Sequence, residues 1–258
     1  MAIILCKKLV IARSKATNYT FSMNLPPTIV VPVYNEAENL KILIPKIFKN
    51  VRRVYVVVVD DNSKDNTKEV LSALTKKYKT VLHLKRKSKM GRGTAVLHGF
   101  RYALTHFKSQ TFIEMDADLS HDPDELPQLL KLTDNKTVVI ASRYLKRSKI
   151  INSPYHRRLL SKLANSFNSL LFGLPIHDNT NGFRLYPRTA VELLVNYDFK
   201  STGFVTIPEA TYYLFRKGYK LRERPTTFVN RRLGGSKADL HEIYISVRDL
   251  IRIRLGAN

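Results

Sequence analysis

The sequence predicts an α/β fold, a mostly parallel sheet flanked by helices, with an amphipathic helix at its C-terminal end. Three observations predict it. From Thr28 onward, short β-branched runs alternate with stretches of helical periodicity, the pattern of a parallel sheet covered on both faces. The run Val54 to Val59 is apolar at consecutive positions, as a strand buried on both faces should be. Hydrophobic residues make up 44% of the 258 positions and charged residues 25%, too much apolar material for a disordered chain.

Taken in order, Thr28 to Val33 reads as the first buried strand. A helix follows, with Leu40, Leu43, Ile44 and Ile47 at helical spacing. Val54 to Val59 is the second strand. Asp65 to Tyr78 is helical, with Val70, Leu71 and Leu74 on one side. Thr80 to Leu84 is a third strand, Gly91 to Phe107 a helix after a glycine-containing turn, and Thr111 to Met115 a fourth strand. Leu126 to Leu132 is a short helix and Val138 to Ala141 a further strand. Leu159 to Phe172 and Gly203 to Lys217 are helical, and Tyr219 to Val229 is extended. The last helix places Leu240, Ile243, Tyr244, Val247 and Ile251 on one face, which packing on its own domain would bury. No repeat or linker interrupts the pattern, so one domain is expected over 28–237. Residues 1–27 read as a basic extension, free of Asp and Glu but carrying Lys7, Lys8, Arg13 and Lys15, and 238–258 hold the amphipathic helix.

Composition excludes several classes. Cys6 is the only cysteine, so there is no disulfide scaffold. No stretch approaches the roughly 18 consecutive apolar residues of a membrane span, so a soluble or peripheral protein is expected. Lys and Arg number 44 against 21 Asp and Glu, a formal charge of +23 that favours polyanions: nucleic acid, an anionic membrane surface or phosphorylated substrates. No zinc-finger spacing, basic zipper or RNA-recognition pattern accompanies the charge, so no nucleic-acid partner is expected.

Ligands of open α/β sheets gather at the carboxyl ends of the strands. Three polar clusters fall there. Pro32-Val33-Tyr34-Asn35-Glu36 follows the first strand, Asp60-Asp61-Asn62-Ser63 the second, and Asp116-Ala117-Asp118 the fourth. Any one could be helix capping, for which Ser63 or Asp65 would serve. Three such clusters on one sheet edge of a basic protein point instead to a cation or a hydrogen-bonding ligand, because crowded carboxylates repel. Two carboxylates one residue apart at a strand end can address one hard cation, which can bridge to a leaving diphosphate.

These motifs, with Gly91-Arg92-Gly93, Leu119-Ser120-His121, Ala141-Ser142-Arg143-Tyr144, Gly182-Phe183-Arg184, Phe228-Val229-Asn230-Arg231 and Gly235-Ser236-Lys237, give the chain a specific resemblance from about Thr28 to Lys237. It resembles the inverting family 2 glycosyltransferases with the GT-A, Rossmann-like fold. Within them it looks like the dolichol-phosphate mannosyltransferases of the short kind without a membrane span. The resemblance implies transfer of mannose from GDP-mannose to dolichyl or another polyprenyl phosphate. It implies that Pro32, Tyr34, Glu36, Asp60, Asp61, Arg92 and Ala117 bind the nucleotide sugar. Asp116 and Asp118 would be catalytic and hold Mg²⁺ or Mn²⁺, with Ser120 where some relatives carry a Gln. Arg143, also catalytic, would hold the acceptor phosphate with Arg157, Ser161, Arg231 and Lys237. A phosphate monoester has a second pKa near 6 and needs little help from a general base. Implied partners are the membrane surface and small membrane-spanning subunits, at the cytoplasmic face of the endoplasmic reticulum in a eukaryote or of the cell membrane otherwise. Three alternatives remain. One is UDP-glucose or another nucleotide sugar as donor to the same lipid class. Another is a sugar or protein hydroxyl acceptor, with Glu209 the candidate base. The last is a non-enzymatic basic module for membrane or nucleic acid.

Overall fold

The computed structural model describes residues 25–201, 203–230 and 240–256. The predicted strands form around a central parallel core. Strand β1 (Thr28–Val33) lies between β2 (Tyr55–Asp60) and β4 (Thr111–Glu114), and β3 (Val81–Lys85) pairs outside β2, all parallel. The crossovers are helices α1 (Ala37–Asn50), α2 (Thr67–Lys77) and α3 (Arg92–His106). Beyond β4 a short α4 (Leu126–Leu130) leads to β5 (Thr137–Ser142), then β6 (Lys149–Ile151) and α5 (Tyr155–Phe172). Then come β7 (Arg184–Pro187), α6 (Arg188–Val195), α7 (Thr206–Arg216), β8 (Lys220–Pro225), β9 (Thr227–Val229) and α8 (Leu240–Leu255). The sheet order is β3-β2-β1-β4-β7-β5-β8, and β6 pairs with β9 in a separate ribbon.

Alternation along each strand divides the core in two. Ile29, Val31, Val56 and Val58 face α1, α2 and α4, where Leu40, Leu43, Ile44, Ile47 and Leu71 complete one cluster. Val30, Val57 and Val59 face the other way, onto Ala95, Val96, Phe100 and Ala103 of α3. Gly99 makes that approach possible: a Cβ there would stand 2.4 Å from Val30 Cγ1.

The structure adds three elements that the periodicity does not announce: β6, β7 and α6. Strand β7 runs antiparallel between β4 and β5, so the sheet is mixed. Its sequence, Arg-Leu-Tyr-Pro, reads as loop because a charged first residue and a proline flank only two others. Arg184 is nevertheless fully buried, donating to the carbonyls of Asn181 and Asn179 at 2.7 and 2.9 Å and to the Thr211 hydroxyl. The C-terminal helix forms as expected, with a different buried face. Leu250 and Ile253 enter the α3-side core, while Ile251 is exposed. The helix is apolar on more than one side, and the core takes the side that reaches it. Residues 1–24 of the predicted extension, and residues 231–239, lie outside the described residues. Among the described residues, no helix is long and apolar enough to cross a membrane.

Candidate active site

The loops after β1, β2 and β4 each turn at a residue in the left-handed region: Asn35 (φ 59°), Asn62 (φ 66°) and Leu119 (φ 60°). Asparagine tolerates that conformation; a bulky leucine adopts it only where its surroundings impose it. The first two loops are sewn together. Asn35 N–H donates to Ser63 Oγ at 2.9 Å, and Lys64 N–H donates to Asn35 Oδ1 at 2.7 Å. Ala37 N–H reaches Asp65 Oδ2 at 3.2 Å. Burial pushes Asp65 upward, but bonds from Thr67 and Ala37 outweigh it and hold the carboxyl below its ordinary range. Ser63 and Asp65 therefore fix the mouth of the site rather than cap a helix alone.

The paired aspartates after β2 part company. Asp60 is 1% exposed; it accepts from Ser63 N–H at 2.8 Å and lies 3.4 Å from His83 Nε2 of β3. It supports the loop from beneath. Asp61 reaches the cleft, yet its carboxylate accepts from the N–H groups of Met90 and Gly91 and pairs with Arg86 at 3.0 Å. Asp61 thereby sets the turn that starts α3, where Gly91 takes a φ of 91° that a side chain would resist.

That turn delivers Arg92. Its Nε donates to Asp116 Oδ1 at 2.7 Å, and its Nη1 lies 3.8 Å from Glu114 Oε2. Burial disfavours the guanidinium charge, but Asp116 and Glu114 more than restore it and raise its pKa. Glu114 is buried, and that burial pushes its carboxyl up against the opposing pull of Arg92 and Arg184. Asp116 N–H donates to His121 Nδ1 at 3.1 Å, which leaves the proton on Nε2, 2.8 Å from Asn181 Oδ1. Burial keeps this histidine below its ordinary pKa, hence neutral. Asp118 Oδ1 accepts from the Ser120 hydroxyl at 2.6 Å and from Ser120 N–H at 3.1 Å. Ser120 is buried at 2%, so it orients Asp118.

Pro32, Tyr34, Glu36, Asp61, Arg92, Asp116 and Ala117 line one cleft of about 360 Å³; of the nucleotide-site residues read from the sequence, Asp60 alone stays out of it. Three lining residues escaped sequence reading: Lys89, Ala95 and Gly203. Lys89 stands over the Tyr34 ring at 3.9 Å from its centroid. A lysine among 44 basic residues carries no signal by itself.

The second group of predicted residues gathers beside the β5 end. Arg143 forks onto Asp178 through Nε and Nη2, both at 2.8 Å, with Nη2 also 2.7 Å from Thr180 Oγ1. Burial pushes the Asp178 carboxyl up, and Arg143 outweighs it and holds it below the ordinary range. Tyr144 donates its hydroxyl to Ser161 Oγ at 2.6 Å, so Arg143, Tyr144 and Ser161 are neighbours. Arg157 lies one turn earlier on α5, half-buried. Arg231 and Lys237 lie outside the described residues. Sequence reading overlooked Asp178 and Asn181, because neither falls at a predicted strand end. Glu209, the candidate base, is fully buried and accepts from Lys200 N–H, Ser201 N–H and the Ser201 hydroxyl at 2.5–3.0 Å. It ties down the loop before Gly203.

The donor set can be tested against a divalent ion. Among the described residues, no group of three or more His, Cys, Asp or Glu side chains converges. The chain offers the hard oxygens of Asp116 and Asp118 beside the cleft. That fits an ion taking one or two carboxylates and completing its shell with substrate phosphate and water.

The model of the family described as "Glycosyl transferase family 2" matches residues 28–194. Over 211 residues the chain is 36% identical to a polyprenol monophosphomannose synthase of Mycolicibacterium smegmatis, covering 81% of this chain and 79% of that one. It is 33% identical over 208 residues to an undecaprenyl-phosphate mannosyltransferase of Micrococcus luteus, covering 81% and 85%. Among solved structures, glucosyl-3-phosphoglycerate synthase of Mycobacterium tuberculosis, in complex with Mn²⁺, UDP and glucosyl-3-phosphoglycerate, superposes with a TM-score of 0.65 at 17% identity, covering 90% and 80%. A mannosyltransferase of Pyrobaculum calidifontis in complex with GDP-mannose and Mn²⁺ superposes with 0.60 at 18% identity, covering 91% and 64%.

Proposed function

This chain belongs to glycosyl transferase family 2 and has the GT-A fold, and from that premise we propose that it transfers mannose from GDP-mannose to a polyprenyl phosphate, with inversion at the anomeric carbon. The observation that carries this reading is the cleft itself. Its lining includes an aromatic ring under a lysine, Tyr34 and Lys89, and a carboxylate bonded to a guanidinium, Asp116 and Arg92. A nucleoside diphosphate sugar offers the matching groups: a flat base and two phosphates. The Mn²⁺ complexes of the glucosyl-3-phosphoglycerate synthase and the GDP-mannose complex of the archaeal mannosyltransferase support a divalent ion and that donor.

Asp116 and Asp118 would hold Mg²⁺ or Mn²⁺, which when bound supplies charge neutralisation for the departing diphosphate. Ser120 and His121 hold those two aspartates in place. Tyr34 and Lys89 orient the base, with Pro32, Glu36, Asp61 and Ala117 shaping the wall. The acceptor side needs positive charge, because a phosphate monoester is already largely anionic at neutral pH. Arg143 is pre-oriented by Asp178 for that role, Ser161 is bonded to the neighbouring Tyr144, and the resemblance assigns Arg157, Arg231 and Lys237 to the same phosphate. A phosphate nucleophile also suits Glu209, whose two oxygens are already occupied by the 200–201 segment.

The lipid acceptor places the enzyme at a membrane surface. Helix α5 is built inside out for a water-facing helix: Asn165 and Asn168 face the protein, while Tyr155, Leu160, Leu163 and Leu170 face outward, Leu170 at 85% exposure. With Ile251 and Leu255 exposed on α8 and Arg252 and Arg254 beside them, that side suits an anionic lipid leaflet. Each basic residue near such a surface contributes about 1 kcal/mol.

The test is a panel of labelled GDP- and UDP-sugars offered with polyprenyl phosphate and Mg²⁺ or Mn²⁺, followed by lipid extraction. Label from GDP-mannose should enter the lipid fraction. Label entering only from UDP-glucose, or only a water-soluble product, contradicts the reading.

A further inference from the structure

Arg92 holds more than one job, and its surroundings are built for both. The guanidinium sits between two carboxylates on β4 and its end, Glu114 and Asp116, at 3.8 and 2.7 Å. Room for it is made by Gly182. A Cβ at that position would stand 1.9 Å from Arg92 Nη2, and the Gly182 carbonyl accepts from the same nitrogen at 3.4 Å. On the inner side, Tyr186 donates its hydroxyl to Glu114 Oε1 at 3.1 Å. The charged and titratable groups around the guanidinium are thus Glu114, Asp116 and Tyr186, with Arg184 drawing on Glu114 and His121 3.9 Å from Asp116 Oδ2. The site is a fitted cradle for a cationic side chain, and that side chain rests on the carboxylate that would ligate the metal.

We propose that Arg92 is a resident counter-cation that competes with the divalent ion for Asp116, with Glu114 as the carboxylate that retains the arginine when Asp116 is given up. This rests on the reading of Asp116 as a metal ligand. An ion on Asp116 draws charge from the carboxylate and repels the guanidinium whichever oxygen it takes, so metal binding weakens the bond at 2.7 Å, and an ion that takes Oδ1 from the guanidinium side displaces it. The chain therefore resists a bare ion. A nucleoside diphosphate changes the balance, because its phosphates give the freed guanidinium a second anion at the mouth of the same cleft. Arg92 so couples metal binding to donor binding. Without Glu114, the buried arginine would have Asp116 as its one close carboxylate and would hold it harder.

Arg92 and Glu114 predict effects of opposite sign, which a merely structural role would not produce. The measurement is Mn²⁺ affinity of the full chain without nucleotide, read from the free-Mn²⁺ paramagnetic resonance signal or by calorimetry. Arg92→Gln should bind Mn²⁺ about tenfold more tightly than the unsubstituted protein, the scale of one charge-assisted hydrogen bond removed. Glu114→Gln should bind it several-fold more weakly, about threefold or more on the same scale. Adding GDP should tighten Mn²⁺ binding more in the unsubstituted protein than in Arg92→Gln. Equal or weaker Mn²⁺ affinity in Arg92→Gln, including no binding in either protein, overturns the proposal, as does tighter binding in Glu114→Gln. Asp116→Asn separates the two levels. If it binds Mn²⁺ as well as the unsubstituted protein, the metal-site reading is what fails.

Discussion

Asp178 shows how one buried side chain governs a site it does not enter. It is fully buried, and its carboxylate accepts from Arg143 Nε, Nη2 and N–H and from Asn181 N–H. Removing one member of a buried ion pair leaves the other uncompensated and costs about 3–5 kcal/mol. Asp178→Asn should therefore lower unfolding stability on that scale in denaturant titrations, and weaken lipid acceptor use more than donor binding. Folded Asp178 lies below the ordinary carboxylate pKa of about 3.9. Its contribution is full above that pH and is lost as pH falls through the lower folded value. Melting temperature measured downward from pH 5 should drop more steeply in the unsubstituted protein than in Asp178→Asn; parallel curves would remove Asp178 from the account. None of this was legible in the sequence, where Asp178 is one acid in a polar loop, whereas Asp116 and Asp118 announced themselves by following an apolar strand run.

At the scale of elements, regular periodicity was readable and inserted geometry was not. Strands β1, β2 and β4 follow from β-branched runs, and the clusters after them line the cleft because strand ends in one parallel sheet share an edge. Strand β7 could not be read, since its hydrogen-bonding partners β4 and β5 lie far away in sequence and its own composition is that of a loop. Asp60 and Asp61 separate for a related reason: Asp60 ends β2 and turns to His83, and Asp61, the next residue along the extended backbone, turns the other way to the cleft. Two outcomes test this level. Gly99→Leu drives a side chain from α3 into Val30 and should destabilise by about 1–3 kcal/mol in chemical denaturation. The double variant Leu160→Gln, Leu163→Gln touches exposed positions and should leave stability within about 0.5 kcal/mol. Co-sedimentation with anionic vesicles should nonetheless fall; unchanged co-sedimentation would take α5 off the membrane side.

For the molecule as a whole, the +23 charge and the acidic cleft floor are two parts of one arrangement. The basic surface favours an anionic membrane and a phosphorylated acceptor, while Glu36, Asp61 and Asp116 line the cleft at the strand edge, where a cation and a diphosphate can use them. Vesicle binding should weaken as salt rises, since screening at 1 M shortens the reach of charge to about 3 Å. The apolar stripe of α5 should keep a residue of binding that salt does not remove. The claim on which the rest depends is that Asp116 handles the charge of the leaving diphosphate. It is tested most directly by transfer of labelled mannose from GDP-mannose to polyprenyl phosphate at saturating Mn²⁺, comparing the unsubstituted protein with a folded Asp116→Asn variant. The account predicts loss of at least about a hundredfold in rate, the scale of losing one strong electrostatic contact to the transition state; a variant that still transfers mannose within a few-fold of the unsubstituted rate contradicts it.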